Sequence, residues 1–212
     1  MTVAVVAIKD LRHAKTRLSS RYSEDQRRDL TLAMAFDVLA ALSNVRSLSG
    51  LLVVTPAPEL MSLAATFDAE VLADPREEGY TQAVQLAVRE LERRRAPSML
   101  AIPADVPRLT PKEIERVLGA LGPPPSAVLA PAHDDRGTNA ALLCPPAALP
   151  LRFGEPSFLP HLQQARMLGI HTEVLRLPGL ALDLDTPEDV DRFLQQPSNT
   201  RTYELLRGTK LR

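Results

Sequence analysis

The feature of this chain that most restricts its fold is the alternation of short apolar runs with longer segments of helical pattern. Apolar runs occupy Val3 to Ile8, Leu51 to Val54 and Met99 to Ile102, and each is followed by a polar loop or by proline. Short, continuous apolar runs are typical of strands that helices cover on both faces of a parallel sheet. The alternation therefore predicts an α/β fold with a mostly parallel sheet flanked by helices.

Local signals place several helix starts. Ser23 with Gln26 forms a capping box, and Thr110 and Thr186 are N-caps that are each followed by proline. We interpret residues 1–196 as one domain and residues 197–212 as a basic, weakly patterned C-terminal tail. The predicted helices are 23–42, 59–67, 81–94, 111–119, 157–169 and 186–195; the further strands are 71–73, 127–130 and 140–143, with 173–177 and 181–184 extended.

The composition narrows the class of protein. The 212 residues carry a net charge of -1, and 45% of them are hydrophobic, which is enough for a sizeable core and excludes a disordered chain. Without an excess of cations, we expect no nucleic-acid partner. No apolar run approaches the ~20 residues of a membrane span, so we expect no membrane association and a cytoplasmic location.

Missing motifs argue against several common kinds of catalytic site. The first strand is not followed by G-x-G-x-x-G, and neither a P-loop nor a G-x-S-x-G elbow occurs. The four histidines lack the spacing of metal ligands, and Cys144 is the only cysteine. Carboxylates, a basic loop and loops of small residues remain, which together indicate metal-assisted phosphate chemistry.

The loops that follow the strands carry the candidate residues, because ligands of such folds gather at the carboxyl ends of the strands. Lys15 and Arg17 lie in a basic loop that could hold a triphosphate, although such loops are often only solvated. Asp105 follows a buried strand between two prolines, where it could bind magnesium or simply form a turn.

A second acidic pair lies before the last helix. If 182–185 is extended, Asp183 and Asp185 point to one face and would repel each other unless a cation lies between them. Alternatively, Asp185 belongs only to the start of the helix that Thr186 caps.

Small and hydroxyl residues suggest a site for an anion. Gly137 and Gly154 allow the backbone to approach an anion closely, Thr138 follows Gly137, and Ser157 precedes a helix whose first amides favour phosphate. The alternative is two ordinary loops, with Ser157 as a plain N-cap.

Together these segments resemble the guanylyltransferase family of deazaflavin coenzyme F-420 biosynthesis, which comprises the 2-phospho-L-lactate and phosphoenolpyruvate guanylyltransferases. The resemblance extends over nearly the whole chain. Its motifs are Ala-Lys-Thr-Arg-Leu at 14–18, Pro-Ala-Asp-Val-Pro at 103–107, Gly-Thr-Asn at 137–139, Phe-Gly-x-x-Ser-Phe at 153–158, His-Leu at 161–162 and Leu-Asp-x-Asp-Thr-Pro at 182–187.

The resemblance implies a single-domain nucleotidyltransferase fold of the glycosyltransferase-A type, with a mostly parallel mixed sheet. It also implies transfer of GMP from GTP to phosphoenolpyruvate or 2-phospho-L-lactate, with release of pyrophosphate. By this resemblance, Lys15 and Arg17 would contact the triphosphate. Mg²⁺ would be held by Asp105, Asp183 and Asp185, and the acceptor would be bound by Thr138, Gly154 and Ser157.

Alternatives remain open at this point. The acceptor could be another small phosphate such as 3-phosphoglycerate, a sugar phosphate or a molybdopterin. Relatives usually carry a Gly-Leu-Asn segment where this chain has Glu78-Gly79-Tyr80-Thr81-Gln82, so a catalytically silent nucleotide-binding relative is a second hypothesis. A plain α/β interaction domain is a third hypothesis. As partners we expect GTP and the acceptor, with a homodimer as a possible assembly.

Overall fold

A mixed sheet of seven strands organises the molecule. The computed structural model describes residues 1–9, 11, 14–74, 78–154 and 156–208. Within that part of the chain the strand order is β3-β2-β1-β4-β6-β5-β7. The strands are β1 (Thr2–Ala7), β2 (Leu48–Thr55), β3 (Glu70–Ala73), β4 (Ser98–Pro103), β5 (Ser126–Pro131), β6 (Thr138–Cys144) and β7 (His171–Val174).

Helices cover both faces of this sheet. A short 3-10 helix, Thr16–Leu18, lies in the loop after β1. None of the helices in the described ranges combines the length and the apolar character that a bilayer crossing requires. The helices are α1 (Glu24–Ser43), α2 (Pro58–Ala65), α3 (Tyr80–Arg93), α4 (Pro111–Gly119), α5 (Phe158–Met167), α6 (Pro178–Ala181), α7 (Pro187–Leu194) and α8 (Arg201–Gly208).

The direction of β6 decides which residues reach the functional edge. β1 pairs in parallel with both β2 and β4, and Ala7 lies opposite Pro103, so both strands end at the same edge. β6 runs antiparallel to β4 and to β5. Its first residues, Thr138 and Asn139, therefore lie at the edge where β1 and β4 finish. This edge is also where the chain order reverses, between β1 and β4, which is the usual ligand crevice of such sheets.

The central strands are buried on both faces, as their apolar runs predict. Val6 packs with α1, α2 and α4 on one face, whereas Val5 packs with α3 and α5 on the other. A third apolar cluster lies beyond the sheet edge and includes Leu18, Leu184 and Phe193, each fully buried. This cluster fixes the basic loop and the segment 182–185 relative to each other.

The predicted helix starts are confirmed at the level of individual hydrogen bonds. Ser23 forms the capping box with Gln26, and Thr110 and Thr186 form equivalent boxes at α4 and α7. Each box satisfies backbone amides that a helix start otherwise leaves unpaired.

Two regions differ from the prediction. Ala181 ends the short helix α6 rather than beginning an extended segment, and residues 182–184 belong to no strand. The tail also contains a helix, α8, whose start is stabilised by a distant aspartate. Asp37 of α1 accepts hydrogen bonds from the backbone amides of Arg201 and Thr202. Such a cap joins elements that are remote in sequence, so the local pattern of the tail does not indicate it.

Candidate active site

A lysine links two carboxylates at the edge where β1 and β4 end. The Nζ atom of Lys15 lies 2.5 Å from Oδ2 of Asp105 and 2.7 Å from Oδ1 of Asp185. Arg17 contacts the other oxygen of Asp185 at 3.4 Å and is more exposed. Four of the predicted residues, from three separate parts of the chain, therefore meet at one place.

The backbone at Lys15 is unusual. Its φ of 51° lies in the left-handed region, which non-glycine residues seldom adopt. The following 3-10 turn is held by the buried side chain of Leu18, so the lysine is presented from a fixed loop. Such conformations concentrate at functional sites, where the surrounding packing maintains them.

The charges of this cluster stabilise one another. Burial lowers the pKa of Lys15, but the attraction of Asp105 and Asp185 outweighs it, so the pKa lies above its usual range. Burial likewise opposes ionisation of Asp185, but the positive charge of Lys15 keeps its pKa below normal. At neutral pH Lys15 and Asp185 are therefore both charged.

Asp183 lies in a different environment from Asp185. Its Oδ1 accepts a hydrogen bond of 3.0 Å from the side-chain amide of Asn139. Burial, and then the negative charge of Asp105, raise the pKa of the Asp183 carboxyl to about 6. The segment is tied to the Asp105 loop by the backbone amide of Leu184, which donates to the carbonyl of Asp105.

The carboxylates offer the oxygen donors that magnesium prefers. Within the described ranges, no three His, Cys, Asp or Glu side chains converge closely enough to form a metal cluster as they stand. However, Oδ1 of Asp105 is buried and has no hydrogen-bond partner among the residues that the structure describes, which is costly unless a ligand uses it. That unsatisfied oxygen, with Asp183 nearby, fits a magnesium ion, and the predicted set of three ligands stays a proposal.

The hydroxyl groups of the predicted anion site are also brought together. Ser157 donates to Oγ1 of Thr138 at 3.2 Å, and Nδ1 of His161 lies 3.0 Å from the same oxygen. Ser157 does not cap α5 with its side chain, so the alternative of a plain N-cap is wrong. Thr138 and Asn139 are successive residues at the start of β6, so the two sites lie at the same end of one strand, but their side chains point to opposite faces of the sheet. Thr138 contacts His161, whereas Asn139 contacts Asp183.

The first amides of α5 do not have the role that we expected. The backbone N–H groups of Ser157 and Phe158 both donate to the carbonyl oxygen of Arg136. These two amides are therefore not free for a phosphate. Of the two hydroxyl groups, only that of Thr138 keeps a proton to donate, because Ser157 donates its own to Thr138. Gly154 has a φ of +132°, and a Cβ there would meet no atom within 4 Å, so its glycine is required by backbone conformation rather than by space.

Tyr80 lies between the two halves of the site. Its ring packs edge-on against Phe153, with centroids 4.7 Å apart. Its hydroxyl is buried and has no hydrogen-bond partner in the described part of the chain. Burial, and then the charge of Asp105, raise its pKa well above the usual value, so the phenol stays protonated. The neighbouring Thr81 accepts from the amide of Phe153, which holds the loop before Gly154 against α3.

Sequence reasoning gave no role to Asn139, His161 or Tyr80. Asn139 and His161 occur in the motifs that carry the resemblance, and Tyr80 occurs in the segment that departs from it. No spacing rule identifies their contacts, because each one joins segments that are distant along the chain.

Comparison with known proteins assigns the family. The sequence pattern of the family described as "Guanylyl transferase CofC like" matches residues 2–212. The chain belongs to this family. A phosphoenolpyruvate guanylyltransferase of Sphaerobacter thermophilus is 40% identical over 192 residues, covering 91% of this chain and 92% of the relative.

Two further comparisons refine this result. A 3-phospho-D-glycerate guanylyltransferase of Colwellia psychrerythraea is 40% identical over 204 residues, covering 96% of each protein. A solved nucleotidyl transferase from Methanothermobacter superposes with a TM-score of 0.66 at 16% identity, covering 99% of each chain. The predicted family and the predicted single-domain α/β nucleotidyltransferase fold are therefore confirmed.

Proposed function

We propose that this member of the CofC-like guanylyl transferase family transfers GMP from GTP to phosphoenolpyruvate and releases pyrophosphate. The observation that carries the proposal is the cluster of Lys15, Asp105 and Asp185 at the crevice between β1 and β4. Such a crevice suits a nucleoside triphosphate with its metal counter-ion, because the basic groups can contact the phosphates and the acidic groups can bind the cation.

The reaction needs no general base on the protein. The acceptor phosphate, whose second pKa is about 6, is mostly a dianion at neutral pH. One of its oxygens attacks the α-phosphorus of GTP; the bond from that phosphorus to the bridging oxygen breaks, and pyrophosphate leaves with the electron pair. His161 fits this scheme, since both of its ring nitrogens are already engaged in hydrogen bonds.

Charge is the main obstacle to this reaction. Two unit negative charges ~4 Å apart repel by about 4 kcal/mol at an effective dielectric constant near 20. Lys15 and Arg17 would face the triphosphate and stabilise the leaving pyrophosphate. Magnesium, held by Asp105, Asp183 and Asp185, would neutralise phosphate charge.

The acceptor would lie against Thr138, Gly154 and Ser157. The hydroxyl groups of Thr138 and Ser157 are already within hydrogen-bond distance of each other there. Relatives of nearly equal identity have names that specify phosphoenolpyruvate or 3-phospho-D-glycerate, so 3-phosphoglycerate is the second candidate acceptor. 2-phospho-L-lactate is the third, from the resemblance.

The decisive experiment incubates the purified chain with GTP, magnesium and each acceptor in turn, and follows pyrophosphate release and the guanylylated product by mass spectrometry. We expect turnover with phosphoenolpyruvate and its loss in Asp105→Ala, with the exposed Asp29→Ala as a matched control. Turnover by folded Asp105→Ala would contradict the metal assignment. GTP binding without turnover of any acceptor would favour the silent relative.

A separate variant tests the acceptor site. Ser157→Ala should raise the KM for phosphoenolpyruvate and leave the KM for GTP unchanged, because its hydroxyl lies in the acceptor half of the site. An unchanged acceptor KM would remove Ser157 from this role.

The wider setting is also part of the proposal. We infer a place in coenzyme F-420 biosynthesis, which coupling the product to the next enzyme of that pathway would test. The homodimer and the cytoplasmic location stay predictions, to be checked by light scattering and by cell fractionation.

A further inference from the structure

A buried histidine contacts the acceptor half of the site. It lies next to the hydroxyl groups of Thr138 and Ser157, which hydrogen-bond to each other. His161 is 1% exposed and makes one hydrogen bond through each ring nitrogen. The backbone N–H of Arg152 donates to Nε2 at 2.8 Å. Nδ1 lies 3.0 Å from Oγ1 of Thr138. The ring of Phe153 packs edge-on against the imidazole, with centroids 5.5 Å apart.

These contacts fix the tautomer of the ring. A backbone N–H can only donate, so Nε2 of His161 must be the acceptor and carry no proton. The neutral ring then has its proton on Nδ1 and donates it to Thr138. Burial lowers the pKa of His161 to about 4, so the ring stays neutral near pH 7.

The tautomer in turn fixes the hydroxyl of Thr138. A hydroxyl group has two acceptor positions and one proton. The oxygen of Thr138 accepts from His161 and also from the hydroxyl of Ser157, at 3.2 Å. With both acceptor positions in use, the proton of Thr138 must point away from both neighbours.

We infer that His161 is a positioning residue that holds Thr138 as a hydrogen-bond donor to the phosphate of the acceptor. The inference rests on the proposed function for the nature of that ligand. A hydroxyl free to rotate could turn a lone pair towards the phosphate, which would repel it. Two donations prevent this: His161, whose tautomer the backbone amide of Arg152 fixes, uses one lone pair of Thr138, and the hydroxyl of Ser157 uses the other.

The tautomer can be measured without any substrate. Nitrogen-15 NMR of the histidine side chains should show His161 protonated on Nδ1 and bare on Nε2 from pH 5.5 to pH 8, with assignment by loss of the signal in His161→Gln. A ring protonated on Nε2, or a cationic ring at pH 6, would overturn the inference whatever the enzyme catalyses.

The functional effect can be separated from a general structural one by a double-mutant cycle. Thr138→Val and His161→Leu should each raise the KM for phosphoenolpyruvate about tenfold and leave the KM for GTP unchanged. The double variant should be no worse than Thr138→Val alone, because His161 acts only through that hydroxyl. Multiplying effects, or an unchanged KM in His161→Leu, would overturn the inference.

Two further variants protect the experiment. His161→Gln is the rescue variant: its amide can accept from Arg152 and donate to Thr138, so it should recover most of the affinity that His161→Leu loses. A loss in His161→Gln as large as in His161→Leu would overturn the inference. The exposed His171→Gln is the matched control and should behave as the parent.

Calorimetric binding of phosphoenolpyruvate to the same variants distinguishes the two proposals. If the parent binds phosphoenolpyruvate without turnover, and binding weakens in both single variants, the inference is supported and the proposed activity is rejected. Turnover by the parent, with an unchanged KM for phosphoenolpyruvate in His161→Leu, would support the proposed activity and reject the inference. If the parent does not bind phosphoenolpyruvate, both proposals are rejected.

Discussion

At the scale of single residues, the negative charges at the sheet edge are compensated unevenly. Lys15 contacts Asp105 and Asp185 directly, whereas Asp183 has a neutral amide, that of Asn139, as its hydrogen-bond donor. An amide compensates a buried charge less well than a cation does. Asp183 is therefore the carboxylate whose ionisation costs the fold most.

This imbalance predicts a pH dependence of stability. The pKa of Asp183 is about 6 when folded, against about 3.9 for an ordinary aspartate. The folded chain holds this proton more tightly, so the stabilisation is complete below about pH 4 and is lost as the pH rises through about 6. Asp183→Asn should therefore gain stability over the parent between pH 4 and 7, by at most about 3 kcal/mol.

Urea unfolding of both proteins at each pH, with a chelator present, measures this gain. The exposed Asp29→Asn is the control and should follow the parent at every pH. A stability difference between Asp183→Asn and the parent that does not change with pH would show that Asp183 titrates normally.

Tyr80 gives a second prediction at this scale. Its buried hydroxyl has no partner within the described residues, and an unsatisfied hydroxyl costs roughly 1–3 kcal/mol. Tyr80→Phe should therefore raise the free energy of unfolding by about 1 kcal/mol in the absence of ligands. Chemical denaturation measures it, with Tyr22→Phe as the control at a second buried tyrosine. A loss of stability in Tyr80→Phe would mean that the hydroxyl has a partner in solution.

At the scale of elements, the start of α8 depends on one side chain of α1. The carboxylate of Asp37 accepts from the backbone amides of Arg201 and Thr202 and from the hydroxyl of Thr202. Burial raises the pKa of Asp37, although these hydrogen bonds oppose the shift. A residue of one helix therefore serves as the N-cap of another.

Removing this cap should be costly. Asp37→Ala leaves the donors at the start of α8 without their acceptor, and we expect a loss of about 2 kcal/mol in the free energy of unfolding. Asp29→Ala, on an exposed position of the same helix, should change it by less than ~0.5 kcal/mol. Equal losses in the two variants, measured by urea denaturation, would exclude a capping role for Asp37.

At the scale of the whole molecule, the tail is packed onto the rest of the chain. Leu206 of α8 is 5% exposed and lies in the apolar cluster with Leu30 and Met34 of α1. The boundary between 196 and 197 stays a prediction, and a truncated chain would test it.

A chain that ends at Gln196 should fold but unfold more easily. Losing the buried leucine and the cap of α8 should cost about 3 kcal/mol. A chain that ends at Gly208, which keeps α8, is the matched control and should retain the stability of the parent. If truncation at Gln196 costs nothing in denaturant unfolding, the contacts of α8 do not stabilise the fold.

Local sequence patterns were sufficient to predict the central strands and the starts of the capped helices. Apolar runs predict the buried strands because two covered faces leave no place for polar residues, as Val5 and Val6 show. Capping residues predict helix starts because their hydrogen bonds are local. The candidate residues Lys15, Asp105 and Asp185 could also be named, since they lie in loops at the carboxyl ends of strands or in motifs of the family.

Which residues meet at the site could be seen only in the folded molecule. The antiparallel direction of β6 brings Thr138 and Asn139 to the edge where β1 and β4 end, and a short local pattern carries no record of strand direction. The same holds for the hydrogen bonds of His161 and for the capping of α8 by Asp37. These contacts form between distant segments, and their geometry is set by how the whole core packs rather than by the residues adjacent to them.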